Sequence, residues 1–202
     1  MNVRPLPDDP IAEAPSAVSA WNIANGLTVL RLLLVPVFAV VLFHGDGHDT
    51  AWRIWAWGVF AIASMPDRFD GELARKRGLV TEFGKLADPI ADKALIGAAL
   101  IGLSMLGDLP WWVTVVIMAR EIGVTALRFA VLRRGVIPAS RGGKLKTLVQ
   151  AVAIGLFVLP LSGPWLATAW VVMWAAVVLT VLTGVDYVVS AARDSRGRPA
   201  GH

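Results

Sequence analysis

The chain has 202 residues, 56% of them hydrophobic and 17% charged, with a formal net charge of +4 and a mean hydropathy of +0.63. Soluble domains run at about 45–50% apolar and about 25% charged, so the composition excludes an ordinary soluble core, and with no basic soluble module the positive excess is read as loops facing anionic lipid, not as nucleic-acid binding. The chain has no cysteine, which excludes disulfides and thiolate metal sites, and its three histidines (His44, His48 and His202) leave oxygen as the expected donor to any metal, which suits hard divalent cations.

From the N-terminus, residues 1–20 contain Pro5, Pro7, Pro10 and Pro15 and read as a flexible tail without the pattern of a cleaved signal. Residues 18–25 read as a short interfacial helix with Trp21 at headgroup level. Six membrane spans follow, each near the ~20 apolar residues that cross a bilayer: about Leu27–Phe43, Ala51–Arg75, Phe83–Leu106, Trp111–Leu132, Leu145–Leu161 and Trp165–Ala191. The expected organisation is one all-α integral membrane domain over 21–192, with a C-terminal tail at 193–202. Six spans put both termini on one side. That side receives Arg75, Lys76 and Arg77, then Arg133, Arg134, Arg141, Lys144 and Lys146, then Arg193, Arg196 and Arg198, whereas the other receives Arg53. Positive charge marks the cytoplasmic face, so both tails and the 76–82 and 133–144 loops are expected there.

The informative segment lies across the second and third spans. Asp67, Asp70, Gly71, Ala74 and Arg75 are spaced to share one helix face, and Gly84, Asp88 and Asp92 share another. A short linker makes the two helices antiparallel neighbours, so the acidic faces are expected to meet at the cytoplasmic ends. A carboxylate in a spanning helix costs about 2.5–3.5 kcal/mol on insertion scales, and four facing one another also repel. Divalent cations offset that cost compactly, and a metal pair about 3.5–4 Å apart is a recurrent device in phosphoryl chemistry. Gly71, Ala74 and Gly84 leave room on the acidic face for a bulky ligand or for close helix packing. Pro66 removes a backbone hydrogen bond and disfavours helical geometry at Met65, which is expected to kink the second span just before Asp67.

The string from Asp67 to Asp92 reads D-x2-D-G-x2-A-R-x8-G-x3-D-x3-D. It resembles the motif of the CDP-alcohol phosphotransferase family, whose six-helix membrane fold would cover nearly the whole chain. The resemblance implies two divalent cations, Mg2+ or Mn2+: Asp67, Asp70 and Asp88 would hold the first, and Asp67, Asp88 and Asp92 the second. Asp92 would also be the general base that takes the proton of the acceptor hydroxyl. Gly71, Ala74, Arg75 and Gly84, with Thr81, would form the cytidine diphosphate pocket. Family members also imply a homodimer in the inner membrane with its active site on the cytoplasmic side.

Further segments bear on the acceptor. Asn25, Thr28 and Arg31 form a polar stripe at the start of the first span, read either as capping and anchoring or as ligand contacts: Asn25 and Thr28 for the CDP-lipid, Arg31 for the acceptor. Arg120 and Glu121 are deep charges that need a reason; adjacent helical residues do not face each other, so a mutual ion pair is not the expected one. Arg120, Thr125 and Arg128 are instead expected to aim donors toward the cavity. Arg141, Lys144 and Lys146 open the fifth span beside free backbone N–H groups, an arrangement suited to an anion as well as to a positive-inside loop. Together these segments resemble the phosphatidylglycerophosphate-forming branch of the family, which implies CDP-diacylglycerol as donor and sn-glycerol 3-phosphate as acceptor, with Arg31, Arg120, Arg128, Arg141, Lys144 and Lys146 on the acceptor side. Phosphatidylglycerol or inositol phosphate as acceptor, and in a different class a cation transporter, are the competing readings.

Overall fold

The computed structural model describes residues 23–65, 82–132 and 141–196. Over them the chain is helical: α1 (Ile23–Leu42), a 3-10 turn (His44–Gly47), α2 (Thr50–Ser64), α3 (Glu82–Met105), α4 (Trp111–Leu132), α5 (Arg141–Val158) and α6 (Pro164–Arg196). The boundaries follow local chemistry. Asp49 caps α2 by accepting from the Trp52 backbone N–H at 3.0 Å, a device worth about 1 kcal/mol. Gly107, at φ +80°, ends α3, and the backbone N–H groups of Asp108 and Leu109 close onto the Leu103 carbonyl. Pro164 opens α6 after Gly163, where a missing N–H costs nothing.

α2 stops at Ser64, and Met65 leaves helical geometry at ψ 116°. The second span therefore does not run unbroken toward Arg75: the residue before a proline is pushed out of the helical region. α5 begins at Arg141, four residues ahead of the expected start at Leu145, so Arg141 and Lys144 belong to its first turn and not to a loop.

One apolar core joins the described helices. α1 packs against α2 and α3, α5 packs against α2, α3 and α6, and α4 packs against α3 and α6. Phe38 and Leu42 of α1 meet Phe60 of α2, Leu95, Leu100 and Leu103 of α3, Ile117 of α4, Ile154 and Phe157 of α5 and Met173 of α6. Polar groups inside are satisfied across helices: Ser104 and Thr114 share a hydrogen bond of 2.7 Å, and Thr114 also donates to the Leu100 carbonyl. Such bonds hold helices together where the surroundings offer no water. Arg53 of α2 is paired with Asp108 in the α3–α4 turn, which ties together the end of the bundle where both turns lie.

The outside is as apolar as the inside. Val40 (70% exposed), Trp55 (68%), Ile62 (65%) and Val171 (69%) lead a broad band of bare hydrophobic side chains on α1, α2 and α6. Monomeric soluble proteins rarely expose contiguous apolar patches beyond a few hundred Å², whereas lipid accepts such a surface. Trp52, Trp111, Trp112 and Trp165 sit exposed at the starts of α2, α4 and α6, the place of an interfacial aromatic belt. Among the described residues one helix is long and apolar enough to cross a membrane by itself, α6 over Pro164–Ser190; the apolar stretches Thr28–Leu42 and Leu145–Val158 are shorter. Arg53 in α2, Asp92 and Lys93 in α3, and Arg120 and Glu121 in α4 interrupt the others.

Candidate functional site

The charged residues that interrupt α3 and α4 come together with the start of α5. A cleft is lined by Asp92 and Lys93 of α3, Met118 and Glu121 of α4, and Lys146 and Gln150 of α5. Each element puts its residues there by periodicity. Gly84, Asp88 and Asp92 recur every four residues along α3 and so share a face. Lys146 and Gln150 do the same on α5. Below them the same helices continue as core through Ile96 and Ile154, so the cleft is the polar end of an apolar seam.

The electrostatics divide in two. Asp92 is half-buried, and its carboxylate makes no hydrogen bond or ion pair with any described residue. Opposite it the charges are tied. Glu121 Oε1 accepts from Lys146 Nζ and lies 3.5 Å from Arg120 Nη1, while Arg120 Nη2 donates to Thr183 Oγ1 of α6 at 3.1 Å. Lys146 is 2% exposed, deeper than a phosphate-reaching lysine on a loop would be, because α5 has already completed its first turn before reaching it. Gln150, equally buried, accepts from Thr180 of α6 at 3.5 Å.

Two expectations change. Arg120 and Glu121 do contact one another although they are neighbours in sequence: the long arginine side chain folds back far enough to reach the carboxylate. Thr125 turns its hydroxyl to the Glu121 backbone carbonyl at 2.6 Å instead of toward the cleft. Arg31 donates to the Met65 carbonyl at 3.4 Å, linking α1 to the broken end of α2, and Thr28 is buried at 2%. Of the other expected site residues, Asp67, Asp70, Gly71, Ala74, Arg75 and Thr81 lie outside the described residues, as does Pro66. Asn25, Gly84, Asp88, Arg128, Arg141 and Lys144 are placed on their helices by the backbone alone. Thr183 is absent from the sequence-based set: its partner comes from a helix 63 residues away in sequence, and only packing reveals it.

The described residues hold no group of three metal-ligating side chains; Asp67 and Asp70 fall outside them. What they do hold suits a hard cation. Asp92 is a half-buried carboxylate with no partner among the described residues, and an isolated carboxylate away from water is costly unless a cation meets it. Asp88 is placed one turn earlier on α3 by the backbone, and the chain has no cysteine thiolate to compete.

Comparison with known proteins gives the family. A family model described as CDP-alcohol phosphatidyltransferase matches residues 21–182. A Mycobacterium tuberculosis protein named "Probable phosphatidylglycerophosphate synthase" is 69% identical over 176 residues, covering 87% of this chain and 84% of its own. Proteins named "CDP-diacylglycerol--glycerol-3-phosphate 3-phosphatidyltransferase" from Bacillus subtilis and Escherichia coli are 36% and 35% identical, covering 83% and 86% of this chain and 93% and 97% of theirs. With a match that runs from α1 into α6, the chain belongs to the CDP-alcohol phosphatidyltransferase family.

Proposed function

We propose that this enzyme transfers the phosphatidyl group of CDP-diacylglycerol to sn-glycerol 3-phosphate, giving phosphatidylglycerophosphate and CMP in phospholipid synthesis. The names of its relatives support the substrates. The observation that carries the chemistry is the Asp92 carboxylate, without a partner among the described residues, facing a cleft that also holds a buried lysine. A hydroxyl of the acceptor attacks the phosphorus bearing the diacylglycerol, the bond from that phosphorus to the bridging oxygen breaks, and CMP leaves with that oxygen. Asp92 takes the hydroxyl proton, a role that requires hydrogen-bond reach of the attacking oxygen.

Asp67, Asp70, Asp88 and Asp92 would hold two divalent cations, Mg2+ or Mn2+, which when bound neutralise the diphosphate and stabilise charge on the transferred phosphoryl oxygens. Asn25, Thr28, Gly71, Ala74, Arg75, Thr81 and Gly84 serve the CDP-lipid in this reading. Lys146, with Arg31, Arg120, Arg128, Arg141 and Lys144, serves the acceptor phosphate. An ammonium has three donors, so Lys146 keeps donors for a phosphate while bonded to Glu121.

The proposed setting is a homodimer in the inner membrane, with six spans over 21–192, tails at 1–20 and 193–202, and the cleft at the cytoplasmic surface. That location lets a soluble acceptor meet a donor whose acyl chains stay in the bilayer, and the apolar outer band supports it. The test is a product assay with purified protein, CDP-diacylglycerol, labelled acceptor and Mg2+ or Mn2+. Metal-dependent CMP release with glycerol 3-phosphate is expected. Turnover with phosphatidylglycerol or inositol phosphate but not glycerol 3-phosphate would overturn the acceptor.

A further inference from the structure

We infer that Glu121 is a positioning residue for this reaction: it holds Lys146 and Arg120 in one preset cationic unit on the α4–α5 wall and keeps Lys146 from closing onto Asp92. The inference rests on the acceptor role proposed for Lys146. Its basis is the sharing of a single oxygen. Glu121 Oε1 is the atom that Lys146 Nζ and Arg120 Nη1 both approach, so one negative charge sits between two positive ones and the unit carries a net +1. All three side chains are largely withdrawn from solvent, Lys146 to 3%, Glu121 to 13% and Arg120 to 17%. Charges so placed are strongly bound to whatever partner they have.

The far side of the unit is fixed as well. Arg120 is anchored to Thr183, and Gly184 beside it leaves the room it needs: a Cβ at Gly184 would come within 3.0 Å of Arg120 Cγ. Arg120 therefore lies against α6 and cannot follow Lys146 if the carboxylate is lost. Lys146 has another choice. It shares the cleft with Asp92 and lies within electrostatic reach of it. Without Glu121, Asp92 is the carboxylate remaining to a buried ammonium among the described residues lining the cleft. An Asp92 bonded to Lys146 is taken up by that bond and not by the acceptor hydroxyl, and a Lys146 so paired has left the acceptor. Glu121 thus sets which carboxylate the lysine uses.

The experiment compares steady-state kinetics of the full chain with those of Glu121→Gln, Glu121→Asp, Lys146→Met and the double variant Glu121→Gln/Lys146→Met, varying glycerol 3-phosphate and CDP-diacylglycerol separately. Glu121→Gln is expected to lower kcat about 30-fold and to raise KM for glycerol 3-phosphate about 10-fold, with KM for the donor within about 2-fold. The decisive readout is rescue: the double variant should recover kcat to within about 3-fold of Lys146→Met alone, because removing the stray ammonium frees Asp92. Glu121→Asp should fall between wild type and Gln. If Lys146→Met raises KM for glycerol 3-phosphate while Glu121→Gln matches wild type, or the double variant is no better than Glu121→Gln, the positioning role is overturned and the acceptor site stands. If Lys146→Met leaves that KM unchanged, the acceptor assignment itself falls. Should Glu121→Gln fail to fold by size-exclusion chromatography, the kcat and KM split of Glu121→Asp decides: a shift in both, against no shift, upholds or overturns the role.

Discussion

Asp92 is set apart from Arg53, Arg120 and Lys146 by what it lacks. Arg53 has Asp108, Lys146 has Glu121 and Arg120 has Thr183, whereas Asp92 reaches the cleft with no such bond to a described residue. A half-buried carboxylate kept without a bonded partner is maintained at a cost, and that cost is consistent with a ligand that arrives later. Asp92→Asn removes the charge and the proton acceptor but preserves shape and most packing. It is expected to reduce transfer by about 1,000-fold or more, of the order that loss of a general base together with a metal ligand commands. Binding of the CDP-lipid, followed by isothermal titration of a short-chain analogue without acceptor, should weaken far less. Near-normal turnover in that variant would remove Asp92 from the chemistry.

Elements differ in how far their residues announce them. α4 is legible to the residue, because Gly107, Asp108 and Pro110 stop what precedes it and a run of apolar residues follows. α5 starts earlier than composition suggests: Arg141, Gly142, Gly143 and Lys144 look like loop, yet they form its first turn, where an unfilled N–H costs little. The end of α2 is visible in Pro66, and the ψ of Met65 shows helical geometry broken just before it, while the residues that follow lie outside the described ones. The site is legible as far as periodicity reaches: Asp88 and Asp92 on one face follow from spacing alone. The Arg120–Glu121–Lys146 arrangement does not, because spacing argues against a neighbour pair and says nothing about which helix lies opposite.

Packing between α1 and α3 gives a test at this same scale. Gly102 faces Leu42, and a Cβ there would stand 2.7 Å from Leu42 Cδ2. Leu42 is 1% exposed and has little space to yield. Gly102→Val should therefore separate the two helices and cost about 1–3 kcal/mol, the usual range for overpacking. Thermal unfolding in detergent should show a lowered midpoint, while Gly58→Val, at a position where a Cβ would meet nothing within 4 Å, should not. Equal midpoints for the two variants would mean that α1 and α3 are not held at that distance.

At the scale of the whole molecule, the exposed tryptophans and the cleft lie apart along the bundle. Asp92 lies near the middle of α3, and the Arg53–Asp108 pair lies at the turn that follows that helix. Thirteen residues separate Asp92 from Met105, about 20 Å of helix. The exposed tryptophans Trp52, Trp111 and Trp165 gather at the end carrying Arg53, while in sequence many of the lysines and arginines fall in the segments that join or follow the opposite ends of the helices. If positive residues stay on the cytoplasmic side, the cleft faces the cytoplasm and the His44–Gly47 turn faces out. The absence of cysteine from the sequence makes this directly measurable. A single cysteine at His48, which is exposed beside that turn, should react in intact cells with a thiol reagent that cannot cross the membrane. A single cysteine at Ser195, near the end of α6, should react only after the membrane is opened. The reverse pattern would turn the cleft outward, away from any cytoplasmic supply of the acceptor. Labelling of both sites in intact cells would mean an even number of crossings between the 3-10 turn and the end of α6, where the six-span arrangement requires an odd number, and it would overturn that arrangement because α6 alone is long enough to place its two ends on different faces.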